Sequence, residues 1–262
     1  MGIDGDGRTA AAGRGSSGEL KPGTIVLGYH AVSPTWDVDI SITPDELERQ
    51  LGLLVRRGWR GATLRDAISG RTAGRTMVIT FDDAFESVLK LAYPILSSLG
   101  LPGTVFAPST FMSARQRLTW SGIETWGPPE EMIGMCWEDL GVLSEAGWEI
   151  GSHTRTHPHL PAIDDESLRF ELTESRREIA AALGRPCETI AYPYDEVDER
   201  VAAAAAAAGY VAGTASKHHL KYLGPLRVPR IGVYRGDVAW RFWLKANGLV
   251  RRVRATDYWV NR

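Results

Sequence analysis

Short apolar runs alternate with helix-like stretches along nearly the whole of this chain, and that alternation limits its fold more than any other feature. Read as strands are TIVLGYH (Thr24–His30), TMVITF (Thr76–Phe81), GTVFAP (Gly103–Pro108), WEIGSH (Trp148–His153), TIAYPY (Thr189–Tyr194), YVAGTA (Tyr210–Ala215) and LRVPRIGV (Leu226–Val233). Between them lie helix-like segments: Thr43–Gly58, Phe85–Gly100, Trp137–Gly147, Asp165–Gly184 and Asp198–Gly209. The first of these has a start signal in Thr43 as cap, Pro44 in the first turn and Glu46 completing a capping box. Leu47, Leu51 and Leu54 form its buried stripe, and Gly58 ends it. Strand followed by helix at short spacing implies parallel strands joined by right-handed crossovers. The units outnumber those of a three-layer half-domain and suit a closed or nearly closed α/β barrel, whose chemistry collects at the C-terminal ends of the strands.

The chain of 262 residues is long enough to bury one large core. We expect a leader over residues 1–22, rich in Gly and Ser, then one domain over 23–262 with a Trp/Pro/Gly-rich insertion at about 110–138. A net charge of −2 gives no electrostatic reason to expect nucleic acid or an anionic membrane as partner. No apolar run approaches the roughly 18 residues of a membrane span. Cys136 and Cys187 make no disulfide framework, and a cytoplasmic location is expected because no signal-like apolar stretch precedes the domain. The arginine-rich tail starting at Arg251 reads as a solvated or partner-facing end.

Two stretches carry the candidate chemistry. VITFDDAF places Asp82 and Asp83 together where an apolar strand ends, and adjacent carboxylates there repel unless a cation or proton separates them. GSHTRTHPHL holds three of the six histidines, with His153 and His157 at a spacing that one helical turn would put on a single face. Pro158 disfavours helix at His157, so such a turn should end there. Both stretches follow strands and so reach the same rim. Two imidazole nitrogens and a carboxylate leave positions open for water and substrate, as a catalytic metal site requires.

In this order and spacing, TFDDAFES, GSHTRTHPHL and AYPYDEVDERV resemble motifs of the polysaccharide deacetylases (carbohydrate esterase family four, NodB-homology domain), over about Gly23 to Val233. IVLGYHAV adds to the resemblance. It implies a distorted (β/α) barrel of parallel strands and metal-dependent removal of acyl groups from sugars. Asp83, His153 and His157 would hold a divalent metal, most plausibly zinc, with cobalt, nickel or manganese as alternatives. Asp82 would be the general base, and the Tyr194 backbone N–H an oxyanion donor.

The expected substrate is an acylated amino sugar or glycoside. Trp120, Trp126, Tyr192, Pro193 and His30 are candidates to line its site. An esterase or deformylase on a non-sugar acyl compound, and a non-catalytic carbohydrate-binding relative, stay open. Several positions depart from the family pattern. Ala84 and Asp195 stand where glycine is usual, a mild change at Ala84 if φ is negative there, while Asp195 adds charge at the mouth. Ala191 stands where relatives place an arginine beside the base. Arg230 is the candidate to neutralise Asp82 instead. The late family histidine is not found, which leaves His218, His219, the base itself or water to protonate the leaving group.

Overall fold

The computed structural model describes residues 20–123, 127–216 and 220–256. The expected leader lies mostly outside these residues, as do Trp126, His218 and His219.

A closed barrel of seven parallel strands forms the centre, running β1 (Thr24–Tyr29), β10 (Val228–Gly232), β9 (Ala212–Ser216), β8 (Thr189–Ala191), β7 (Glu149–Ser152), β6 (Thr104–Ala107) and β5 (Thr76–Phe81), with β5 pairing back onto β1. One edge of β5 is shared. Its first half, Thr76–Val78, pairs with the short strand β4 (Arg60–Ala62), and Thr80–Phe81 pairs with β6. β2 (Ala31–Val32) and β3 (Ser41–Ile42) form a separate small parallel sheet.

Around the barrel stand α1 (Pro44–Arg56), α2 (Leu64–Ile68), α3 (Tyr93–Ser98), α4 (Trp137–Glu145), α5 (Asp165–Leu183), α6 (Glu199–Ala207), α7 (Ala239–Ala246) and α8 (Gly248–Arg254). At the start of α1, Thr43 Oγ1 accepts from the Glu46 N–H, but the Glu46 carboxylate turns to Arg49, so only half of the expected capping box is built. The expected helix Phe85–Gly100 is interrupted by a wider turn at Val88–Ala92, just ahead of Pro94, whose missing N–H cannot extend a regular ladder.

Strand alternation sorts the core into two layers. Ile25, Leu27 and Tyr29 on β1, with Met77, Ile79 and Phe81 on β5, face outward into the helix layer. Val26, Val78, Phe106, Ala191, Ala212 and Val228 form a second, inner cluster closed by Leu64, Ala67 and Ile68 of α2. The inner face changes character toward the C-terminal ends of the strands. Above Val78 come Thr80 and then Asp82, and two residues beyond Val228 comes Arg230. Gly28 makes room for this change: a Cβ there would stand 3.0 Å from Arg230 Cδ. The inner face is therefore apolar at this middle level and charged near the mouth.

Candidate metal and catalytic site

Asp82 and Asp83 follow β5 directly, and Asp82 N–H still donates to Tyr29 O at 3.0 Å, as the β1–β5 register extends one step. His153 follows β7 in the same way, its N–H donating to Ala107 O at 2.9 Å. The expected helical turn from His153 to His157 does not form. Thr154 and His157 take positive φ of 65° and 62°, and a loop, tied by Thr154 Oγ1 accepting from His157 N–H at 3.1 Å, brings the second imidazole back toward the first.

His153 Nε2 and His157 Nε2 then lie 3.3 and 3.4 Å from Asp83 Oδ1, and all three residues are buried. Asp83 Oδ1 has no hydrogen-bond partner among the described residues despite those two close nitrogens. Leaving a buried carboxylate oxygen unpaired costs roughly 1–3 kcal/mol, more when it is charged. A cation among the three donors removes that cost. Donors bound tetrahedrally at about 2.0–2.1 Å stand about 3.3–3.4 Å apart, so both Asp83–histidine separations fit a small divalent ion, and the three donor atoms all lie within 4.8 Å of one another.

The tautomer fits too. His153 Nδ1 is 2.8 Å from Ala191 O, which can only accept, so the proton sits on Nδ1 and Nε2 offers its lone pair to the cluster. Burial, together with the neighbouring His153, lowers the His157 pKa to about 3, so that ring is neutral as a ligand must be. Burial pushes the Asp83 carboxyl up, but contact with the two histidines outweighs it and holds the group below its usual range.

Asp82 has a different neighbourhood. Arg230 grips it with both Nη atoms: Nη1 donates to Oδ1 at 2.7 Å and Nη2 to Oδ2. Burial acts to raise the Asp82 carboxyl, but the Arg230 charge and hydrogen bonds more than offset it, and the acid stays well below the carboxylate range. Arg230 also donates to Thr80 Oγ1 at 3.2 Å and to Asp195 Oδ1 at 3.1 Å. Asp195 thus does not add loose charge to the mouth, as its sequence position suggested. Its carboxylate shares Arg230 Nη2 with Asp82 and also accepts from Ser216 N–H.

The comparisons with known proteins point the same way. A family model described as Polysaccharide deacetylase matches residues 69–213, more than half of the chain. The chain belongs to the polysaccharide deacetylase family. It is 22% identical over 203 residues to the Bacillus subtilis protein YxkH, whose name carries the same family, covering 75% of this chain and 66% of that relative's length. Among solved structures, the Streptococcus pyogenes deacetylase PplD, in complex with acetate, superposes with a TM-score of 0.71 at 20% identity, covering 86% of this chain and 98% of that one. IcaB from Ammonifex degensii gives a TM-score of 0.66 at 23% identity, covering 86% and 97%. These likenesses establish the shared barrel.

Among the described residues, left-handed backbone outside glycine gathers at the rim. The non-glycine residues at positive φ are Asp83 (67°), Ala84 (54°), Thr154 (65°), His157 (62°), Tyr194 (56°) and Asp195 (56°), and all follow β5, β7 or β8. Ala84 is thus not the mild change expected for negative φ. At both positions where the family usually has glycine, this chain keeps a left-handed backbone and places a side chain on it.

The remaining sequence candidates stand in four different settings. His30, opposite Asp82 once Tyr29 pairs with Phe81, brings Nε2 to 3.8 Å from Asp82 Oδ2 and keeps 20% of its side chain exposed. Tyr194 follows a shortened β8 that ends at Ala191 rather than Tyr194, and its ring packs edge-on to His157 at 4.7 Å and flat on His159 at 3.8 Å. Trp120 reaches the site from the 110–138 segment, where it is buried and stacks on His157 at 4.3 Å, so its ring braces that imidazole. Tyr192 and Pro193 do not face the mouth either. Both are buried, and Tyr192 OH donates to Leu226 O at 2.9 Å within the wall. The Asp195 link was missed because an acid in a glycine position has no sequence signal for an ion pair with a residue 35 positions away.

Proposed function

We propose that this protein is a metal-dependent hydrolase that removes an N-acetyl or other small acyl group from an amino sugar, free or within a glycoside. The observation that carries this reading is the orphaned Asp83 oxygen facing two imidazole nitrogens, one residue from a carboxylate already clamped by arginine. Asp83, His153 and His157 would hold the ion, and N/O donors with open positions favour zinc over cobalt, nickel or manganese. A bound divalent cation supplies the Lewis acidity that lets water act as a nucleophile near neutral pH.

The chain's own groups divide the proton work. Asp82, ionised and fixed by Arg230, accepts the proton of the attacking water at a carboxylate oxygen. The Tyr194 backbone N–H, on the turn beside His157, is our candidate donor to the oxyanion. His30 stands beside Asp82 with its Nδ1 unpartnered among the described residues, which suits it to deliver a proton to the leaving amine. His30 is our candidate for the role that the sequence left open, beside His218 and His219, which lie outside the described residues.

The test is acyl release from a panel of N- and O-acylated amino sugars, run beside metal analysis of the same protein. Asp82→Asn should keep its metal and lose about a hundredfold to ten-thousandfold in kcat/KM. Equal turnover by wild type and Asp82→Asn on every substrate that releases acyl product would overturn the assignment.

A further inference from the structure

The end of the described chain leaves an unusual amount of apolar surface in water. Seven of the eleven large apolar side chains that stand exposed among the described residues fall between Tyr234 and Val253. On α7, Trp240, Trp243 and Leu244 occupy positions i, i+3 and i+4 and so share one face. Phe242 and Ala246 take the opposite side and are buried, where α7 meets α1. On α8, Leu249 and Val253 repeat the exposed pattern at i and i+4, with Leu249 71% exposed. Among the described residues nothing covers this second apolar stripe, because the first stripe already docks the helix.

Charge follows the same segment. From Val238 to Thr256 the chain carries Arg241, Lys245, Arg251, Arg252 and Arg254 and no Asp or Glu, although the whole protein has a net charge of −2. Lys245 is engaged with Asp237, and Arg251 with Thr24 O. Arg241 and Arg252 stay exposed, and the Arg241 guanidinium lies 5.3 Å from the centre of the Trp240 ring. The balanced total thus conceals a local basic face studded with tryptophan and leucine.

We propose that the α7–α8 face docks on an anionic lipid bilayer surface, with Trp240, Trp243, Leu244 and Leu249 in the headgroup zone and Arg241 and Arg252 on lipid phosphates. Tryptophan beside arginine on short amphipathic helices is the composition that partitions to such an interface. A second copy of this chain fits the face less well. An isologous pair would set the patch against itself, and with no acid between Val238 and Thr256 its cations would meet cations. The face lies along the side and base of the barrel, since α8 reaches Thr24 at the start of β1, so docking leaves the mouth open.

The test uses the full chain and sedimentation with vesicles of phosphatidylcholine alone or with about a third phosphatidylglycerol, at low and high salt. Wild type should sediment with the anionic vesicles, far less with the neutral ones, and less at high salt. Trp240→Ser with Trp243→Ser, and separately Arg241→Glu with Arg252→Glu, should each lower partition by about tenfold or more while Tm and far-ultraviolet dichroism hold. The charge pair keeps the proposal testable if the tryptophan pair disturbs folding. No sedimentation of wild type, equal binding to neutral vesicles, or variants that bind like wild type would each overturn it. So would a dimer that dissociates in the tryptophan variants without any vesicle binding, which would assign the face to a second copy.

Discussion

The barrel encloses carboxylate at each end, one residue below and two at the mouth, and the two sites are built on opposite plans. At the N-terminal ends of the strands, Glu149 opens β7 and is satisfied throughout by neutral donors. Its Oε1 accepts from Thr189 Oγ1 at 2.6 Å, and Oε2 from Thr104 Oγ1 at 3.1 Å and Arg65 N–H at 2.9 Å. Burial pushes its carboxyl up. At the C-terminal ends, Asp82 is saturated by a guanidinium while Asp83 keeps an oxygen with no partner between two imidazoles. Among the described residues, every non-glycine position at positive φ lies at that end. A polar group inside a protein is therefore not in itself a sign of function. The sign is a buried polar atom left unsatisfied where the backbone is also strained, because folding alone has no reason to keep either.

The sharpest way to break this comparison is a pair of truncations with crossed effects. Asp83→Ala should abolish tight divalent-metal binding and lower acyl release by at least about a thousandfold, yet should not lower metal-free stability, since it deletes a buried unpaired group whose burial costs roughly 1–3 kcal/mol. Excess zinc should raise the wild-type Tm and leave the variant unmoved. Glu149→Ala should do the reverse. Turnover stays within about twofold, while stability falls by about 2–3 kcal/mol as two hydroxyls and an N–H lose their acceptor. Metal analysis, acyl-release assays and chemical denaturation read out both arms. If the two variants lose stability alike, the contrast between the ends is wrong.

A middle-sized effect tests the arginine clamp. Arg230 is 1% exposed and shared by Asp82 and Asp195, so Arg230→Met leaves two carboxylates without their counter-charge. The expected loss is about 3–5 kcal/mol, the usual result of removing one partner of a buried pair. Adding Asp82→Asn to Arg230→Met should recover part of it, and denaturation of the single and double variants measures how much. No recovery would mean that Arg230 acts by filling the barrel rather than by its charge.

How much of this was legible in the sequence depends on whether a signal was local. The seven barrel strands coincide with apolar runs because each is buried on both faces and so must be apolar along its length. β4 was missed because its three residues, Arg-Gly-Ala, need only half of one edge of β5 and carry no apolar pattern. The candidate metal triad could be grouped from the sequence because Asp83, His153 and His157 each sit just past a strand, where the topology collects side chains. Its geometry was not: the histidine spacing suggested a helical turn, whereas a loop with two left-handed residues makes the convergence. Trp120 and Tyr192 were misjudged for one reason. Aromatic residues near a site signal burial and substrate contact equally, and only packing decides between them. The basic face of α7 and α8 was hidden by adding up charge over the whole chain.

The smallest effect concerns the rim's strain and needs an internal control. Ala84 is buried with φ of 54°, a conformation that costs an L-residue roughly 1–2 kcal/mol and glycine nothing. Glycine there loses about 0.5–1 kcal/mol through greater freedom in the unfolded chain, and forfeits the contacts of one methyl. The two nearly cancel, so Ala84→Gly should change stability by between about 0 and +1 kcal/mol. Ala203 lies exposed in the interior of α6, where the backbone is right-handed. There only the unfavourable terms act, and Ala203→Gly should cost about 1 kcal/mol. The same substitution thus has two outcomes set by the sign of φ alone, and denaturation of both variants under one set of conditions measures the difference. If Ala84→Gly costs as much as Ala203→Gly, the left-handed backbone after Asp83 is not strained, and the alanine in this glycine position is an ordinary fit rather than a tolerated cost.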